Sequence, residues 1–237
     1  MIKLIGVYDY TVLLTYIGLA CTLFGMTQAI SGNFEAAVLC LAISGACDAF
    51  DGRVARSKKN RTDDERNFGI QLDSLCDVIC FGVFPGLICY LLGVRGLLGL
   101  PIVCFFCLCA VIRLAFFNVL EGNRQKSEGG CNKGYRGLPV TSVSFILPMF
   151  FCLRYFLPED AFVILLHVLL LTVGFLFILD FPLPKPQLKH ILILMGIVAV
   201  TIGLVFAITK FRVPRQLDVP HRSGGAVFET SYEVQNP

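Results

Sequence analysis

Seven stretches of this chain are close to the roughly 20 apolar residues that a helix needs to cross a bilayer. They run Tyr10–Ile30, Phe34–Phe50, Ile70–Val94, Leu97–Leu120, Leu138–Phe156, Ala161–Leu179 and Ile191–Thr209. Lipid offers backbone N–H and C=O groups no partner, so each stretch is expected to be helical. The predicted fold is all-α, a polytopic transmembrane bundle. With 56% hydrophobic and 16% charged residues, little of the chain is left over for a soluble domain. A single membrane domain over residues 1–209 is expected, followed by a polar tail over 210–237 that holds Pro214, Pro220, Gly224 and Gly225.

The charges are placed unevenly. Six basic residues fall in Arg53–Arg66 and four in Arg124–Arg136. Loops of this kind stay on the cytoplasmic side. That orientation also puts Met1–Asp9 and Asp180–His190 inside, and leaves the basic-poor connections Ser31–Asn33 and Leu157–Asp160 outside. A seventh span would carry the tail outside with Lys210, Arg212, Arg215 and Arg222. Either the last stretch is not a simple span or the tail tolerates the mismatch. The basic runs are interrupted by acids and enclosed by spans, so no nucleic acid partner is expected. The eleven cysteines lie mostly inside apolar spans, Cys104 and Cys107 included, where a thiol serves as a small hydrophobe. The first apolar segment has no small-residue cleavage site and further spans follow it, so no cleavable leader is expected.

Ionisable groups inside spans are costly and are functional candidates by default. Four aspartates stand where the second and third spans meet the cytoplasm: Asp48 and Asp51, three apart, and Asp73 and Asp77, four apart. Each spacing puts its pair on one helix face. Four converging carboxylates repel unless protons or a cation neutralise them, and hard divalent ions such as Mg²⁺ or Mn²⁺ favour carboxylate oxygen and bridge to phosphate. Gly52 and Ala55 leave room for a close approach to the backbone. Arg56 is a residue type suited to bidentate phosphate contacts. Together these residues read as a divalent-ion and pyrophosphate site at the membrane surface.

The same residues form the pattern D-x2-D-G-x2-A-R, a spacer, then G-x3-D-x3-D. It is complete here as Asp48, Asp51, Gly52, Ala55, Arg56, Gly69, Asp73 and Asp77. In this the chain resembles the CDP-alcohol phosphotransferase family. Its twelve-residue spacer, Ser57–Phe68, is longer than is common in that family. The resemblance implies a six-helix core over roughly Leu13–Leu183, with the seventh span as an addition. It also implies transfer of a phosphatidyl-type group from a CDP-linked lipid to an alcohol, with release of CMP. Asp48, Asp51, Asp73 and Asp77 would hold divalent ions. Asp48, Gly52, Ala55, Arg56, Gly69 and Asp73 would line the CDP moiety. Asp77 would be the general base. Three further segments resemble the members that take CDP-diacylglycerol and L-serine: Gln71–Asp77 running on to Phe81-Gly82-Val83-Phe84-Pro85, Arg113–Asn118, and Arg136–Pro139. Phe116 departs from them, since a basic residue is usual there. Arg113, Asn118 and Arg136 would meet the acceptor, and membrane lipids would surround the bundle. A homodimer is compatible with this reading.

Other groups invite blander readings. His167, alone in an apolar span, is expected to pack, and Lys126 and Lys133 are expected to be surface charges. Two rival functions stay open. One keeps the chemistry and changes the acceptor to glycerol-3-phosphate or inositol phosphate, which should demand extra basic residues. The other is an aspartate-based ion transporter, which expects acids near the bilayer midplane and broken helices around them.

Overall fold

The first helix starts where Asp9 offers the backbone N–H of Thr11 a carboxylate acceptor at 2.9 Å, the work of an N-cap side chain. The computed structural model describes residues 5–58, 60–126 and 135–183, with 196, 200 and 203 besides. Among the described residues there are seven α-helices in chain order: α1 Tyr10–Ile30, α2 Phe34–Ser57, α3 Asp63–Asp77, α4 Phe84–Leu91, α5 Gly96–Lys126, α6 Val143–Phe151 and α7 Glu159–Ile178. Asn33, the N-cap of α2, turns the chain back so that α1 and α2 form a hairpin. Small residues let the two backbones approach: a Cβ on Gly18 would stand 3.2 Å from the Cβ of Cys47. Polar groups join them within the apolar interface. Thr22 and Ser44 hydroxyls meet at 2.9 Å, and Ser44 also donates to the Gly18 carbonyl at 3.1 Å. Such pairing is how membrane helices are held where no hydrophobic drive separates lipid from protein.

A capping box opens α3. Thr62 Oγ1 accepts from the Glu65 N–H at 3.2 Å, and Glu65 Oε2 accepts from the Thr62 N–H at 3.1 Å. From there the helix is unbroken to Leu91, but its middle, Val78–Val83, widens into a π-helix in which the Phe84 N–H reaches the Ile79 carbonyl. The Cys107 thiol of α5 donates to the Gly82 carbonyl at 3.4 Å. The core lies between α2, the π segment, α4, α5, α6 and α7. It is built on fully buried Phe81, Phe84, Phe106, Phe151, Phe162 and Phe177.

The bundle is all-α, as expected, apart from one short antiparallel pair that was not foreseen. Strands β1 Tyr135–Arg136 and β2 Pro182–Leu183 match Tyr135 to Leu183 and Arg136 to Pro182. Gly137 follows with φ of +73°. A Cβ there would stand 2.8 Å from the Leu179 carbonyl, so conformation and space both call for glycine. Among the described residues, four helices are long and apolar enough to cross a membrane: Tyr10–Ile30, Asp63–Leu91, Gly96–Leu120 and Glu159–Ile178. The expected second span is a 24-residue helix, long enough, but charged at Asp48, Asp51, Arg53 and Arg56 in its later turns. The expected fifth span is a shorter apolar helix, Val140–Tyr155, with 3₁₀ turns at both ends. The expected seventh span and the tail fall outside the described residues, apart from three single positions.

Candidate active site

Three helix ends meet on one side of the bundle. The Lys58 ammonium, just past α2, contacts Asp9 at the start of α1 at 2.8 Å and Glu65 in the first turn of α3 at 3.0 Å. Lys58 and the Thr11 hydroxyl hold the Asp9 carboxyl down at about 2. This strap closes the hairpin end from which the acid-bearing turns of α2 and α3 enter the bundle.

Inside it, helical spacing delivers the carboxylates. Asp48 from α2 and Asp73 and Asp77 from α3 place ligand oxygens within 4.8 Å of one another. Asp48 stands within hydrogen-bonding reach of Asp77, and Asp51 within reach of Asp73. Asp51 lies outside the close trio and accepts from Thr15 Oγ1 of α1 at 3.1 Å. Asp51 and Asp77 are buried, at 7% and 9% exposure. Asp73 Oδ1 is buried with no hydrogen-bond donor among the described residues. A set of acidic oxygens only, close-set and with one oxygen lacking a partner, fits a hard divalent cation such as Mg²⁺ or Mn²⁺.

The residues around the acids are spread along both helices. Gly52 and Ala55 are half-buried, whereas Arg56 is exposed and its guanidinium folds back to 3.6 Å from where a Cβ on Gly52 would stand. Gly69 sits one turn before Asp73 on the same face, beneath the Arg61 guanidinium. Asn118 of α5 approaches α3 and accepts from Ser74 Oγ at 2.8 Å. Arg113, buried, donates to the Leu138 carbonyl at 3.3 Å and the Gly137 carbonyl at 3.4 Å. It thereby fixes the segment after β1, and Arg136 enters through its backbone in β1. His167 packs through Nδ1 at 2.7 Å from the Val163 carbonyl. Lys133 and His190 lie outside the described residues.

Thr15, Ser74 and Arg61 were not anticipated. A threonine in an apolar run gives no sign that its hydroxyl meets a carboxylate from the next helix. Ser74 lies in the Gln71–Asp77 segment, yet its partner is 44 positions away.

The fold and this cluster define a membrane-embedded, carboxylate-centred protein. Its sequence matches the CDP-alcohol phosphatidyltransferase family over residues 11–209, most of the chain, and the protein belongs to that family. It is 41% identical over 113 residues to the CDP-diacylglycerol–serine O-phosphatidyltransferase of Saccharomyces cerevisiae, covering 46% of this chain and 40% of the yeast one. It is 32% identical over 149 residues to the archaetidylserine synthase of Methanothermobacter thermautotrophicus, covering 61% and 58%. To the CDP-diacylglycerol–serine O-phosphatidyltransferase of Methanocaldococcus jannaschii it is 30% identical over 185 residues, covering 77% and 76%. The chain thus spans about two fifths of the yeast relative's length and three quarters of the Methanocaldococcus one.

Proposed function

We propose that the protein transfers the phosphatidyl group of CDP-diacylglycerol to the hydroxyl of L-serine, yielding phosphatidylserine and CMP. The observation that carries this reading is the trio Asp48, Asp73 and Asp77, three carboxylates from two helices converging within 4.8 Å. The names of the relatives support the choice of serine.

In the proposed reaction the serine oxygen attacks the lipid-linked phosphorus, the bond from that phosphorus to the CMP oxygen breaks, and the hydroxyl proton passes to Asp77. A serine hydroxyl is a weak nucleophile at neutral pH, so a positioned carboxylate is needed to accept its proton. Asp77 is buried at the inner end of α3 and shares the trio, which suits a base aimed at a bound alcohol. Bound Mg²⁺ or Mn²⁺ would neutralise the diphosphate and the charge that develops on CMP. Asp48, Asp51, Asp73 and Asp77 are the proposed ligands, with Thr15 steadying Asp51. Gly52, Ala55, Arg56 and Gly69 are the proposed seat of the nucleotide, Asp48 and Asp73 flanking it. Asn118 accepts from Ser74 through its oxygen, so its amide N–H groups remain for the serine carboxylate. Arg113 and Arg136 are the further proposed contacts to the acceptor, Arg113 also holding the Gly137–Leu138 backbone. The basic loops support a site on the cytoplasmic side of the membrane, where the nucleotide would stay wet and the acyl chains would stay in lipid.

The test is a headgroup screen on purified protein with CDP-diacylglycerol and a divalent ion. L-Serine should yield phosphatidylserine with stoichiometric CMP, and chelation should stop it until Mn²⁺ or Mg²⁺ is restored. A higher kcat/KM with glycerol-3-phosphate or inositol phosphate would reassign the acceptor. Full turnover in excess chelator would remove the ion from the reaction, and no CMP with any acceptor would remove the activity itself.

A further inference from the structure

The lengthened spacer between α2 and α3 brings an arginine to the acid-bearing face of α3. Gly69, Asp73 and Asp77 follow one another at four-residue steps on that face. Arg61 Nη2 lies against Gly69 so closely that a Cβ there would overlap it, and Nη1 is 3.7 Å from the same point. Nη2 donates to the Glu65 carbonyl at 3.2 Å, which fixes the guanidinium in place. Arg61 Nε is buried and has no hydrogen-bond partner among the described residues. No ion pair answers its charge among the described residues. Among the described residues the ion pairs run through Lys58, and Glu65 is turned toward Lys58 and the Thr62 N–H. A desolvated guanidinium N–H without an acceptor is rare in a folded protein, and it points to an anionic ligand that completes it.

We infer that Arg61 is a phosphate-binding residue, donating Nε–H to the diphosphate of the CDP-linked donor one turn outside the acid trio. This rests on the function proposed above and adds a residue outside the eight-residue pattern. Glycine at 69 then makes room for the guanidinium on that face. The ligand is the nucleotide's phosphate rather than a lipid headgroup, because the Arg61 guanidinium lies over Gly69, on the helix face that carries Asp73 and Asp77.

The experiment measures CMP affinity by calorimetry on the purified full chain with Mn²⁺, in neutral detergent without anionic lipid. Arg61→Ala and Arg61→Gln are compared with wild type. Glutamine can still donate to the Glu65 carbonyl but carries no charge. Both variants should lose roughly 10- to 100-fold in CMP affinity, the scale of a hydrogen bond to a charged group. Both should raise the KM for CDP-diacylglycerol and leave that for L-serine unchanged. CMP affinity equal to wild type in Arg61→Ala would overturn the inference. So would full recovery in Arg61→Gln, which would show that Arg61 only ties down the loop. A wild-type protein that binds no CMP would instead overturn the functional reading on which the inference rests.

Discussion

A single side chain separates two accounts of the acid cluster. Asp77 is either the base that takes the acceptor's proton or one more ligand for a cation. Asp77→Asn keeps size and shape and removes the proton acceptor. Loss of a general base typically costs about 10²–10⁴-fold in rate, so turnover with L-serine should fall by that much. Affinity for CDP-diacylglycerol should survive, because Asp48, Asp51, Asp73 and Arg56 remain. If turnover falls only in step with lost donor binding, the base must be sought elsewhere. Asp9 offers a second test at this scale. Its folded pKa is about 2, below the ordinary carboxylate value of about 3.9. Its contribution to stability is therefore complete above the ordinary value and is lost as pH falls through about 2. Removing the ammonium in Lys58→Ala should move the Asp9 midpoint upward, which carboxyl NMR of labelled protein would read directly. An unmoved midpoint would show that Thr11 alone holds it.

Pairs of helices behave as units wherever one lacks side-chain volume. Gly45 of α2 faces Ser144 of α6, and a Cβ on Gly45 would overlap the serine hydroxyl. Both residues are buried. Gly45→Ala should destabilise the protein by about 1–3 kcal/mol, the usual cost of overpacking. Adding Ser144→Gly should recover part of the loss, a coupling that thermal unfolding in detergent would detect. If the two effects simply add, the helices do not meet there. Such contacts also mark what sequence leaves unread. The four aspartates and their helix faces were legible because hydropathy and spacing are local properties. The π segment was not: Val78-Ile79-Cys80-Phe81-Gly82-Val83 is an ordinary apolar run, and its widened ladder is visible only with the carbonyl–thiol contact between Gly82 and Cys107. The shortened α6 was hidden for a similar reason, since the apolar run Leu138–Phe156 reads as one helix until its 3₁₀ ends are seen. The β1–β2 pair joins residues 48 and 46 apart (Tyr135 with Leu183, Arg136 with Pro182) and has no local signature.

At the scale of the whole molecule, the β1–β2 pair zips the bases of α6 and α7 together. The Gly137 N–H adds a bond to the Phe181 carbonyl at 2.8 Å, and the Leu138 N–H reaches the Leu176 carbonyl at 3.2 Å. The strand pair thus pins the base of this part, whose helices pack outward, α6 on α2 and α7 on α5, while all four aspartates lie earlier, in α2 and α3. The two parts recognise each other through side chains: Arg113 on the carbonyls of Gly137 and Leu138, Phe106 with its ring 5.5 Å from that of Phe177, and Gly45 against Ser144. The part after Tyr135 is therefore held to the rest through packed surfaces, with α6 and α7 each seated on a helix of the earlier part. Residues 1–126 and 135–237, expressed as two polypeptides in one cell, should find each other in the membrane, co-purify through a tag on either one, and release CMP from CDP-diacylglycerol with serine. Fragments that never associate would show that the continuous chain, and not the zipped base, brings the halves together.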